Sequence, residues 1–224
     1  MTAFEAVLFD LDGTLCRRTQ DAETVYAGAF ERAGVAPFGR PDDLWDALDG
    51  PPDPDDPETY FREGFARVAA AHDRDVDAAT LARGFLDVVD HAAVAFEPGA
   101  RDALDRARAR GPVGLLTNGP ERRQAVKLDA LGVADAFDAV VFAGDMPRRK
   151  PHRDPFDRAV STLDVPAEST LYVGDSLEYD VAGAKNAGLL SAWCPRSSDE
   201  DPGDHRPDYV FDSLHDLAAL LDSP

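Results

Sequence analysis

Lysine is nearly missing from this chain. Among 224 residues only Lys127, Lys150 and Lys185 occur, so 20 of the 23 basic side chains are arginine. Cysteine is as scarce: Cys16 and Cys194 make no disulfide framework, and Cys16 is expected as a small core residue rather than a reactive thiol. The five histidines show no metal-ligand spacing. No apolar run approaches the roughly 20 residues that span a bilayer. The opening MTAFEAVLFDLDGTL has no basic n-region and too short an apolar stretch for a signal peptide, so a cytoplasmic protein is expected. Basic charge is outnumbered throughout, 43 acids against 23 bases, for a net charge of −20. That balance argues against nucleic acid, whose binding needs a basic footprint, and against an anionic membrane surface.

What the chain does have is aspartate, 33 of its 43 acids. An Asp-rich, Lys-poor surface resembles halophilic proteins, which work in concentrated salt where screening weakens self-repulsion; codon bias towards Asp and Arg is the other reading. The apolar fraction of 44% is ordinary for a globular protein. The length allows one large domain, or a core with one inserted module.

Residues 6–9 form a short apolar run that predicts a buried strand. From 16 to 96 the pattern changes to helices, at 24–33, 58–71 and 78–94, with no convincing strand and a breaker-rich loop at 50–57. Trp45, Tyr60 and Phe61 are expected in the core of this segment. Beyond Pro98 helices and strands alternate. Helices are predicted at 100–110, 121–131, 154–163, 179–186 and 214–221, and strands at 113–116, 139–142, 171–173, 189–193 and 209–211. In the second helix Ala125, Leu128 and Leu131 share a face, and in the third Asp154 is read as the N-cap before Pro155. The pattern is that of an α/β fold with a doubly wound parallel sheet, 1–15 and 97–224, and an inserted helical segment, 16–96.

Ligands of such sheets bind outside the carboxyl ends of the strands. Past the first strand stands Asp10-Leu11-Asp12-Gly13-Thr14, and past the second Thr117-Asn118-Gly119. A loop after the third carries Lys150-Pro151, and the fourth is followed by Gly174-Asp175-Ser176 with Asp180 close behind. Converging carboxylates repel unless a cation neutralises them, and hard oxygen ligands suit Mg²⁺. A metal beside Lys and Thr makes a phosphoryl site, in which one carboxylate attacks phosphorus and a second moves the protons. A calcium loop would need an acid or Asn at position 14 and Gly at 15, where this chain has Thr14 and Leu15.

These motifs resemble the haloacid dehalogenase-like hydrolase superfamily, in particular its phosphatases with a helical cap after the first motif. The matches are DLDGTL (10–15), LLTNG (115–119), KP (150–151) and GDSLEYD (174–180). The resemblance implies a Rossmann-like core with Asp10 as nucleophile and Asp12 as general acid/base, whose main-chain carbonyl also meets Mg²⁺. It implies phosphoryl contacts from Thr117, Lys150 and Asn118, metal ligands in Asp10 and Asp175 beside Asp12, and a supporting part for Asp180, for which helix capping is the plainer alternative.

The expected substrate is a small-molecule phosphate monoester of nucleotide, sugar phosphate or phosphoglycolate type. Phosphomutases share every one of these residues. Dehalogenases typically lack the second Asp, present here as Asp12. Phosphonate hydrolases use a cap lysine, and 16–96 contains none. A binding protein of the same fold without turnover is the alternative outside enzymes.

Overall fold

The structure, a computed structural model, describes residues 4–49, 56–197 and 200–222. It opens with strand β1 (Ala6–Phe9) and a short strand β2 (Cys16–Arg18). Residues 19–93 then form a compact unit of their own, with α1 (Ala22–Ala33), α2 (Pro41–Asp46), α3 (Pro57–Ala71) and α4 (Ala78–Val88). The other unit, residues 1–18 and 94–224, resumes with β3 (Val94–Phe96), α5 (Ala100–Arg110), β4 (Val113–Thr117) and α6 (Glu121–Leu131). It continues through β5 (Ala139–Phe142), α7 (Arg153–Leu163), β6 (Thr170–Gly174) and α8 (Gly183–Ala187). Strands β7 (Leu190–Trp193) and β8 (Tyr209–Val210) and helix α9 (Leu214–Leu221) complete it.

The expected doubly wound α/β sheet is there. Six parallel strands run in the order β5-β4-β1-β6-β7-β8. Alternate residues of β1 enter opposite layers: Val7 and Phe9 pack with α5 and α9, Ala6 and Leu8 with α7 and α8. A strand buried on both faces reads as an unbroken apolar run, which is why these strands were visible in the sequence. With β1 central, the chain winds outward first through β4 and β5, then on the other side through β6, β7 and β8. The ends of β1, β4 and β6 therefore flank the switch point where such sheets bind ligands.

Four sequence expectations need correction. The segment 16–96 is not free of strands: β2 and β3 pair antiparallel, Cys16 opposite Phe96 and Arg18 opposite Val94. The two units accordingly divide after Arg18 and Ala93, not after 15 and 96. Helix α4 stops at Val88 instead of running to 94. The Gln20 side-chain amide donates to the Val88 carbonyl and accepts from the Asp90 N–H, and Asp90 Oδ1 takes the Ala92 N–H, so the chain turns out of the helix. Helix α7 begins before Asp154, with His152 at its cap and Asp154 inside the first turn.

In the helical unit Tyr26, Phe30, Phe65, Leu81 and Phe85 form the core, while Trp45, expected there, is 50% exposed with its edge against Phe61 and Phe85. Most of the loop 50–57 lies outside the described residues; Asp56 caps α3 through the Thr59 N–H. No described helix is long and apolar enough to cross a membrane.

Candidate active site

The turn after β1 is built on the Leu11 carbonyl, which accepts from the N–H groups of Leu15 and Cys16 at 3.0 and 2.9 Å. Gly13 holds φ +84°, and a Cβ there would stand 2.7 Å from Asp175 Oδ2. Only glycine admits both the backbone and the close approach. This turn leaves Asp10 buried at the strand end, its N–H on the Val173 carbonyl at 2.9 Å.

Lys150 reaches Asp10 from the loop after β5. Its ammonium, 4% exposed as a residue, donates to Asp10 Oδ1 at 2.7 Å, Asp180 Oδ1 at 2.6 Å and the Tyr172 hydroxyl at 2.7 Å. The Tyr172 hydroxyl in turn stands 3.1 Å from the Leu116 carbonyl and 3.0 Å from Asp180 Oδ1, either of which takes its proton. Burial works against the Lys150 charge, but Asp10 and Asp180 outweigh it and raise its pKa.

Asp180 and Asp175 follow β6. The helix predicted at 179–186 begins as one wide turn, Leu177–Ala182, before α8. Ser176 caps that turn by accepting the Tyr179 N–H. Asp180 does not cap it; its Oδ2 accepts from the Ser176 N–H at 2.9 Å while Oδ1 meets Lys150. A Cβ on Gly174 would fall 2.3 Å from the Asp180 carboxyl carbon, so glycine makes room for this packing.

Carboxylate oxygens of Asp10, Asp175 and Asp180 lie within 4.8 Å of one another, all three residues buried. Burial raises the Asp10 carboxyl most; Lys150 opposes this, Asp180 and Asp175 add to it, and the pKa stands at about 8. Asp175 is raised by burial and then by Asp180, against its contact with Arg196. Three acids here face Lys150 and the largely exposed Arg196, a donor set that fits a hard divalent cation such as Mg²⁺.

Thr117, at the end of β4, is 2% exposed, and its hydroxyl oxygen accepts from the Gly119 N–H and from Gln124 Nε2. Asn118, expected at the phosphoryl group, instead spends both ends of its side-chain amide on the Lys150 backbone. The Asp12 carboxylate stands apart from the acidic triad. Both its oxygens meet Lys127 Nζ, at 2.6 and 2.7 Å, and Oδ2 also accepts from Gln124 Nε2 at 2.8 Å. Burial would raise the Asp12 carboxyl, but the charge and hydrogen bonds of Lys127 and the Gln124 bond hold it below the usual carboxylate value. Asp10, Asp12, Thr117, Lys150 and Asp175 line one cleft of about 500 Å³.

Sequence reasoning missed Tyr172, Gln124, Lys127 and Arg196. Lys127 carried a signal, being one of three lysines, and Gln124 and Lys127 stand four residues before Leu128 and Leu131 on the same side of the helix, but as polar residues they were not counted in the expected Ala125–Leu128–Leu131 stripe. The buried residues of α6 are in fact Gln124, Lys127 and Leu128. Cys16 is buried as expected, and burial foremost pushes its thiol up to about 12, an unreactive state.

Fold, strand-end motifs and a cation-ready acidic cluster together mark one class of hydrolase core. Residues 4–188 match the family described as haloacid dehalogenase-like hydrolase, and the chain belongs to that family. It is 31% identical to a phosphoglycolate phosphatase of Cereibacter sphaeroides over 94% of both chains. It is 36% identical to the pyrimidine 5'-nucleotidase YjjG of Escherichia coli over 55% of this chain and 56% of that protein. The crystal structure of CbbY from Rhodobacter sphaeroides in complex with phosphate superposes with a TM-score of 0.68 at 25% identity, covering 98% of this chain and all of that one.

Proposed function

We propose that the protein is a Mg²⁺-dependent phosphatase of small phosphate monoesters, of nucleotide, sugar phosphate or phosphoglycolate type. It acts in the cytoplasm through a phospho-Asp10 intermediate, with residues 19–93 as its substrate-selecting cap. The observation that carries this reading is the grip of buried Lys150 on one oxygen of Asp10, Oδ1 at 2.7 Å, which leaves Oδ2 for attack on phosphorus. The names of the relatives, a nucleotidase and a phosphoglycolate phosphatase, support the substrate class.

Asp10 Oδ2 forms a bond to phosphorus as the ester P–O bond breaks, and Asp12 gives the departing oxygen its proton. Water then attacks the phosphorus of phospho-Asp10 and Asp12 takes the proton, releasing phosphate and free Asp10. Lys150 neutralises charge beside the nucleophile. Thr117 accepts two hydrogen bonds at its oxygen, so its own hydroxyl proton is available to a phosphoryl oxygen. Asn118 acts through the Lys150 backbone. Asp10, Asp175 and the Asp12 carbonyl would hold Mg²⁺, oriented by Asp180, and the ion supplies charge neutralisation to the phosphoryl oxygens.

The test is Asp10→Asn with p-nitrophenyl phosphate and a panel of phosphorylated metabolites in Mg²⁺. Turnover is expected to vanish with the fold intact, and quenched single-turnover mass spectrometry of the wild type to find phosphate on Asp10. Near wild-type turnover by Asp10→Asn, free of deamidation and contaminating phosphatase, would refute covalent catalysis. A sugar phosphate returned as its isomer would mark a mutase.

A further inference from the structure

We propose that Gln124 and Lys127 are positioning residues that fix Asp12 and Thr117 to each other for hydrolysis of the phospho-enzyme. The proposal rests on the reading of Asp12 as the proton carrier. Both residues lie on α6, a turn apart, 1% and 4% exposed. The Lys127 ammonium bridges both Asp12 oxygens, and the two N–H groups of Gln124 Nε2 divide between Asp12 Oδ2 at 2.8 Å and Thr117 Oγ1 at 2.6 Å.

Gln124 Oε1 is buried with no partner among the described residues. An unmatched buried oxygen is costly, yet the reversed amide would set that oxygen against the Asp12 carboxylate. The orientation seen sacrifices one acceptor to keep both donors on the two site residues. The lysine usage points the same way. Two of the three lysines are buried, and each ends on an acid of the DLDGTL turn, Lys150 on Asp10 and Lys127 on Asp12. Once Asp12 has given its proton to the leaving group, the carboxylate so held is immobile and acceptor-only, as needed to receive the proton of an attacking water.

The experiment is a double-mutant cycle between Lys127→Met and Asp12→Ala, reading the loss of phosphate from phospho-Asp10 by quenched-flow mass spectrometry. Circular dichroism checks the fold of each variant. The expected result is at least about a tenfold fall in dephosphorylation for Lys127→Met, no further fall when Asp12 is already Ala, and most of the rate restored in Lys127→Arg. Gln124→Leu should also slow dephosphorylation and carries the cycle if Lys127→Met does not fold; because it releases Thr117 too, its fall should shrink, not vanish, when Asp12 is already Ala. An equal loss in both backgrounds, a change confined to KM, or an unchanged rate overturns the proposal. If Asp12→Ala alone keeps the wild-type rate, the reading of Asp12 as proton carrier falls and this proposal with it. If Asp12→Ala is slow and Lys127→Met is not, only the positioning role falls.

Discussion

The side-chain amide of Asn118 and the backbone of Lys150 are bonded in both directions. Oδ1 accepts from the Lys150 N–H at 2.9 Å, and Nδ2 donates to the Lys150 carbonyl at 3.1 Å. The flexible lysine stem thus starts from a point fastened to the end of β4, which removes freedom its ammonium would otherwise have to lose on meeting Asp10.

Asn118→Ala should therefore damage the site without touching substrate. Two buried backbone groups lose their partners, at roughly 1–3 kcal/mol each, so the thermal midpoint should drop. Misplacement of Lys150 should lower kcat on the order of ten- to a hundredfold. Steady-state kinetics on p-nitrophenyl phosphate measure this, and a kcat equal to wild type would show that Lys150 does not need the clamp.

Acid–base linkage gives a second expectation. In the metal-free protein Asp10 titrates at about 8 against an ordinary 3.8, burial being the main cause. Between those values the folded state holds a proton that the unfolded state has released. Stability contributed by Asp10 is thus largest at acid pH and declines as pH rises through that window. With chelator present, wild type should lose stability relative to Asp10→Asn between about pH 5 and pH 8. Mg²⁺, replacing the proton, should stabilise wild type more at the upper end. Parallel unfolding curves of the two proteins across the range would contradict this.

Salt is the third lever. With a net charge of −20, like charges repel across the surface. Raising KCl to about 1 M shortens the Debye length to about 3 Å and should raise the thermal midpoint, as a halophilic surface requires. A midpoint that is flat or falls with salt leaves codon bias as the account of the composition.

The parts of the fold visible in the sequence are those specified locally. Buried parallel strands announce themselves as apolar runs such as 6–9 and 113–116, and the helices 100–110 and 121–131 fall where their patterning put them. The motif residues Asp10, Thr117, Lys150 and Asp175 could be named because strand ends are where such sheets expose function. What stayed hidden depends on distant partners. Cys16-Arg17-Arg18 has no strand pattern of its own and becomes β2 only by pairing with Val94–Phe96. Gln124 and Lys127 look like solvent-facing helix residues until Asp12, 112 and 115 positions earlier, gives them a reason to be buried. The hydroxyl of Tyr172 is concealed in an otherwise apolar strand.

The central place of β1 also governs when the site can come into being. Val7 pairs with Val113 on one side and Leu171 on the other, and Lys150 meets Asp10 across 140 positions. Such pairings close long loops before they are rewarded, which slows folding. A polypeptide folded only through β5 has its nucleophile but lacks Asp175, Asp180 and the Val173 carbonyl that anchors the Asp10 N–H. Catalytic competence is then a late event in assembly, and the appearance of turnover during refolding would time the docking of β6 onto the nascent sheet.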